Sequence, residues 1–182
     1  MLMSLAAAAL GLAAVVAGGA AEAAQDLPIT AFAGRYVGTG VARNDLSEYF
    51  ALTVRDLDVT IRPSSQGGFA LSWTTVLRGG GDPDNPKVKR KSTALTFVPA
   101  GRPGVFRSAT QADPMSGRPY SWARIKGNTL TVHSLTITAD GSYVMHTYDR
   151  TLTGYGMDLK FTRLRDGEAT RSVTGKLTKE EN

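Results

Sequence analysis

From Gln25 onward, apolar side chains recur at every second position and almost nowhere at helical spacing. A chain patterned this way buries one face only as strands, because successive strand side chains point to opposite sides. The alternating segments are 34–41, 52–61, 69–77, 87–98, 105–110, 120–126, 129–138, 142–153, 157–164 and 169–178. Turn chemistry separates them, including two Asp-Gly pairs at Asp140-Gly141 and Asp166-Gly167, which suit the positive φ of a tight hairpin. Only 44–50 reads as a helical turn, with Asn44 or Asp45 as its cap. Short strands joined by short turns give a sandwich or a barrel. Consecutive hairpins favour a meander, and a meander closed on itself has no edges. The predicted fold is all-β, an antiparallel up-and-down meander of about 8–10 strands closing into a barrel, with at most one short helical turn near 44–50.

Residues 1–24 break this pattern. No charge occurs before Glu22, 5–17 is an unbroken apolar run, and Ala21-Glu22-Ala23 has the form of a signal-peptidase site. The reading is a cleaved signal peptide over 1–24, a single barrel domain over 25–182, and a periplasmic or secreted destination. No Lys or Arg precedes the run, which leaves an upstream start or an atypical leader open. A membrane anchor is the alternative, but the run is short for a bilayer span. The chain has no cysteine, which excludes a lipoprotein anchor and any disulfide scaffold. The net charge of +5 is spread thinly except in Lys87-Val88-Lys89-Arg90-Lys91, read as a solvated or edge-protecting face. No nucleic-acid partner and no stable membrane insertion are expected. A membrane barrel needs an apolar outer band, whereas these strands carry a face of Thr, Ser, Lys, Arg and Asp.

Candidate chemistry gathers around Asp140-Gly141. A two-residue turn sets Ile137 opposite Val144, Leu135 opposite His146, His133 opposite Tyr148 and Thr131 opposite Arg150, all on one face. His133 and His146 are the only histidines. The candidate ligand-binding residues are therefore His133, His146, Tyr148 and Arg150, beyond an apolar stretch near the turn. Arg150 suits a carboxylate, which its planar fork binds through both oxygens, and Tyr148 adds a donor. The expected partner is a small hydrophobic or anionic ligand. The competing reading turns this face outward or satisfies its polar groups within the core. Two histidines lack the further ligands of a metal site. No cofactor is expected, and haem on one axial histidine is the remaining option.

Other features carry less. The segment 79–86 clusters oxygen ligands without calcium-loop spacing. Gly38-x-Gly40 precedes no helix that would present amides to phosphate. No catalytic residue is assigned. Trp73 and Trp122 read as core or rim. Arg163 and Arg171 share a face with Phe161 and Val173 if the Asp166-Gly167 turn carries a bulge. They then either plug a barrel end or add positive potential to the cavity.

The opening Phe32-Ala-Gly34-Arg-Tyr36-Val-Gly38 before about ten strands resembles the start of a calycin barrel. That superfamily includes lipocalins, fatty-acid-binding proteins and avidins. Gly34 and Tyr36 align with the lipocalin Gly-x-Trp, tyrosine standing for tryptophan. Tyr148-Asp149-Arg150 is similar to the inward Arg and Tyr of fatty-acid-binding proteins, in reverse order. The resemblance implies a barrel binding a small hydrophobic or amphipathic molecule. The alternative function is an interaction or inhibitor module with a filled interior, binding a protein partner through loops such as 79–86 and 111–119.

Overall fold

The computed structural model describes residues 25–44, 52–78 and 88–181. The leader reading over 1–24, the loop 79–86 and most of the helical-turn segment lie outside them. Ten strands form: β1 (Gly34–Asn44), β2 (Leu52–Pro63), β3 (Phe69–Arg78), β4 (Val88–Pro99), β5 (Val105–Ser108), β6 (Tyr120–Lys126), β7 (Thr129–Ile137), β8 (Tyr143–Thr153), β9 (Gly156–Arg165) and β10 (Glu168–Lys179). Each pairs antiparallel with its sequence neighbours, and β10 returns to β1, so the meander closes into a barrel. Among the described residues, two 3-10 turns, Ile29–Phe32 and Pro114–Ser116, stand where no helix was predicted.

Closure at the β1–β10 seam depends on small residues. Gly40 faces Gly175 across the seam. A Cβ on either would stand 2.8 Å from Leu57 Cδ1, so the Leu57 side chain fills the space that the two glycines leave. A bulge follows the Asp166-Gly167 turn and meets the condition on which Arg163 and Arg171 share a face: the β9–β10 register shifts between Ala169 and Arg171. Arg171 then faces Arg163, and Val173 faces Phe161.

The interior has two storeys. At the end bearing the β2–β3, β4–β5, β6–β7 and β8–β9 turns it is solid. Phe69 stacks on Phe97 at 4.8 Å and meets Phe106 edge-on at 5.1 Å. Ile61, Leu71, Leu130, Met157 and Leu177 are buried beside them. The chain before β1 seals this end. Phe32 is fully buried, the Tyr36 hydroxyl donates to the Phe32 carbonyl, and Leu27 N–H donates to the Gly127 carbonyl. Phe32 and Tyr36 belong to the Phe32–Gly38 opening, whose aromatics anchor the plug. Apolar side chains therefore point inward at this end.

The other storey is hollow. Its wall is uneven, because β5 is short and pairs with β4 only at Phe97, Val98 and Pro99. The segment 88–95 of β4 thus has β3 as its one strand partner among the described residues. The edge-protecting reading of the basic run fits this local free edge.

Candidate ligand-binding site

Strand β8 builds the wall from which the site grows. Its inward positions are Val144, His146, Tyr148 and Arg150, running from the open mouth toward the plug. The neighbouring register differs from the sequence expectation by one residue: Thr136 faces Val144, Ser134 faces His146, Val132 faces Tyr148 and Leu130 faces Arg150. Asp140 supplies the reason. Its carboxylate accepts from the Thr138 hydroxyl and the Ser142 N–H, and Thr138 N–H donates to the Ser142 carbonyl at 2.8 Å. Residues 139–141 therefore bridge the strands, one more than a two-residue turn uses, with Gly141 at φ 82°. A one-residue slip turns every β7 side chain to the opposite face. His133 consequently leaves the interior. It stacks on Trp122 at 4.9 Å, with Nδ1 3.2 Å from the Thr147 hydroxyl. The structure brings His146, Tyr148 and Arg150 together and separates His133 from them.

These three border a cavity of about 670 Å³. Its floor spans the barrel. Trp73 of β3 meets Tyr148 of β8 at 5.0 Å, and Phe161 of β9 lies 4.8 Å from Tyr148. His146 adds a fourth ring, 5.5 Å from Phe161. Arg150 sits among them with 0 % exposure, its guanidinium carbon 5.2 Å from the Trp73 centroid and 5.4 Å from that of Tyr148. Nε and both terminal nitrogens are buried without a hydrogen-bond partner. Ring faces compensate a desolvated cation in part but accept none of its directed N–H bonds. Burial pulls the Arg150 pKa down to about 10, against small opposing contributions from Tyr148 and Asp149. Burial likewise raises the Tyr148 phenol.

Above the floor the lining turns cationic. Arg55, Arg163 and Arg171 face the lumen, and Lys89 and Lys91 stand at the mouth. No Asp or Glu lines the cavity among the described residues. The like charges act on one another. Arg55 has its pKa lowered by burial and then by Arg171, and its Nε has no partner. His146 is lowered by burial, then by Arg163, Lys91 and Arg171.

No protein-family model matches the sequence. No curated protein matches it either. Among solved structures, the chain is similar to a protein of unknown function from the DUF3598 family of Nostoc punctiforme PCC 73102. The TM-score is 0.58 and the identity 12 %, over 90 % of this chain and 53 % of that one. The chain thus spans about half the length of that protein, and the likeness is one of fold. A second similar structure is the S-type phycobiliprotein lyase CPES from Guillardia theta, with a TM-score of 0.38 and 10 % identity, over 85 % of this chain and 91 % of that one.

Chemically, the site offers donors and positive charge around an aromatic chamber, and no carboxylate among the described residues to act as a base. Among the described residues, no group of three metal-ligating side chains forms. Sequence reasoning did not assign Arg55 or Trp73 to the site. The signal was present for Arg55, which stands two positions before Leu57, Val59 and Ile61 in the inward alternation of β2. Nothing in the sequence says that Trp73 reaches across to β8.

Proposed function

We propose that this protein is an exported binding protein of calycin type that holds a small amphipathic anion inside its barrel. The observation that carries this reading is Arg150, a fully buried guanidinium whose three nitrogens have no partner. Leaving a charge uncompensated in a low-dielectric interior costs several kcal/mol. An anionic group on a ligand offsets that cost, because an arginine–carboxylate pair forms two charge-assisted hydrogen bonds. The Trp73, Tyr148 and Phe161 rings suit an apolar body. The cavity volume of about 670 Å³ falls within the ~300–1,000 Å³ common for small-molecule pockets. The leader pattern of residues 1–24 supports export, and the Phe32–Gly38 opening supports the calycin type.

The test uses one tail with two heads. Dodecanoate is expected to raise the melting temperature in a saturable way, and dodecyltrimethylammonium is expected not to. Arg150→Gln is expected to remove the dodecanoate response. Equal responses to both heads, or none to either, would show that the cavity is not an anion site. N-terminal sequencing of protein recovered from outside the cytoplasm tests export, with a start at or beside Gln25 expected.

A further inference from the structure

The cations of the cavity form two groups rather than one. Arg150 lies at the floor. Arg55, Arg163 and Arg171 lie toward the mouth, where Arg163 faces His146 on β8 and Arg171 on β10. Along β8 the step from Arg150 to His146 covers ~13 Å at ~3.3 Å per residue, and strand tilt reduces this to roughly 10 Å along the barrel axis. Between the groups the lining is aromatic and apolar: Trp73, Tyr148 and Phe161, with Leu57, Val59 and Leu159.

A ligand with one anionic group satisfies only one end. Seated on Arg150, it leaves the arginines of the mouth repelling one another, a repulsion already felt between Arg55 and Arg171. Seated at the mouth, it leaves Arg150 buried without a partner. An apolar tail at either end finds cations where it needs hydrocarbon.

We infer that the ligand class of this cavity is an elongated amphipathic dianion, with one anionic group paired to Arg150 at the floor and the second held by Arg55, Arg163 and Arg171 at the mouth. This rests on the anion-binding reading above and narrows it. The body between the anions is apolar and flat enough to lie against Trp73 and Phe161. Carboxylates and phosphates share the chemistry required at the mouth, since both accept paired N–H donors from arginine.

Dodecanedioate, its monomethyl ester and dodecyl phosphate serve as probes, with dissociation constants measured by calorimetry at one ionic strength. Dodecanedioate is expected to bind at least about tenfold more tightly than its monomethyl ester, although the ester is the more hydrophobic molecule. In an Arg55→Gln/Arg171→Gln double variant that ratio is expected to fall toward one. The variant removes mutually repelling charges, so its ligand-free melting temperature is expected to hold or rise, which separates lost binding from lost folding. Equal affinities for diacid and ester in the unaltered protein would overturn the dianion and leave the anion-binding reading intact. Dodecyl phosphate binding as tightly as the diacid, and indifferent to Arg150→Gln, would overturn it in favour of one highly charged head at the mouth. Failure of all three probes and of dodecanoate would overturn both readings.

Discussion

Trp73 and Tyr148 belong to β3 and β8, which are diametrically opposed in the ten-strand ring, yet their ring centroids lie 5.0 Å apart across the lumen. The Arg150 guanidinium lies beside both rings and exposes no nitrogen to water. An anion that pairs with Arg150 must therefore displace at least one ring. The chain has two tryptophans, and Trp122 stacks on His133 outside the barrel. In a Trp122→Phe background the remaining emission belongs to Trp73. Dodecanoate is expected to change its intensity and quenching by iodide, and an unaltered spectrum at saturation would count against entry to the floor.

Arg150 is expected to cost the empty protein stability. Burial pulls its pKa down to about 10, a cost to the charged form on the order of a few kcal/mol. Replacing a buried, unpaired charge by an apolar side chain of similar length removes that cost. Arg150→Met is expected to stabilise the ligand-free protein by ~1–3 kcal/mol in urea unfolding while losing the dodecanoate response. A destabilised Arg150→Met would mean that the guanidinium is satisfied in the fold.

The histidines set an acid-side dependence. Burial lowers the pKa of both His133 and His146, with Arg124 adding to the first and Arg163, Lys91 and Arg171 to the second. For a base whose folded pKa lies below its unfolded value, the unfolded chain takes up the proton first. The associated stability is complete at high pH and is lost as pH falls through roughly 6.5 toward the folded value. Urea midpoints are expected to drop between pH 7.5 and 5.5, and His146→Asn should flatten part of the slope. Anion affinity should move the other way, strengthening on acidification as His146 gains charge. His133→Asn is expected to leave that affinity unchanged, because its ring stacks on Trp122 outside.

The seam gives a prediction about folding alone. A Cβ on Gly40 would meet Leu57 Cδ1 at 2.8 Å and the Thr174 carbonyl oxygen at 3.0 Å. Crowding a packed interior commonly costs ~1–3 kcal/mol, and Gly40→Ala is expected to lower stability by about that amount. Gly101→Ala makes a poor control, because Gly101 has φ 78°. Ser65→Ala, in the exposed β2–β3 turn, is expected to be silent.

Strand positions were legible because the period-two alternation is written in the chain, as in Leu57, Val59 and Ile61. The alignment of Arg171 with Arg163 and of Val173 with Phe161 was legible only as a condition, dependent on a bulge beside the Asp166-Gly167 turn, which the structure contains. The β7–β8 register was not. It turns on one carboxylate, Asp140, whose bonds to Thr138 and Ser142 lengthen a loop that Asp-Gly alone suggests is shorter. The alternation in β7 gave no warning, because Leu135 and Ile137 are as apolar as Val132. Their outward placement is a tertiary outcome. Contacts across the lumen, such as Trp73 with Tyr148, leave no periodic trace at all.

The division of the interior into a sealed half and a hollow half has a meaning for how such a chain can diversify. The residues that hold the fold, Phe32, Phe69, Phe97 and Phe106 with the turn before β1, lie below the Trp73–Tyr148 floor. Arg55, Arg163 and Arg171, proposed to hold a ligand at the mouth, lie above it. Substitutions at Arg55, Arg163 or Arg171 are therefore expected to change the charge of the cavity without loosening the plug that keeps the barrel shut. The lower storey acts as a foundation, on which the lining of the upper storey can change while the architecture stays the same.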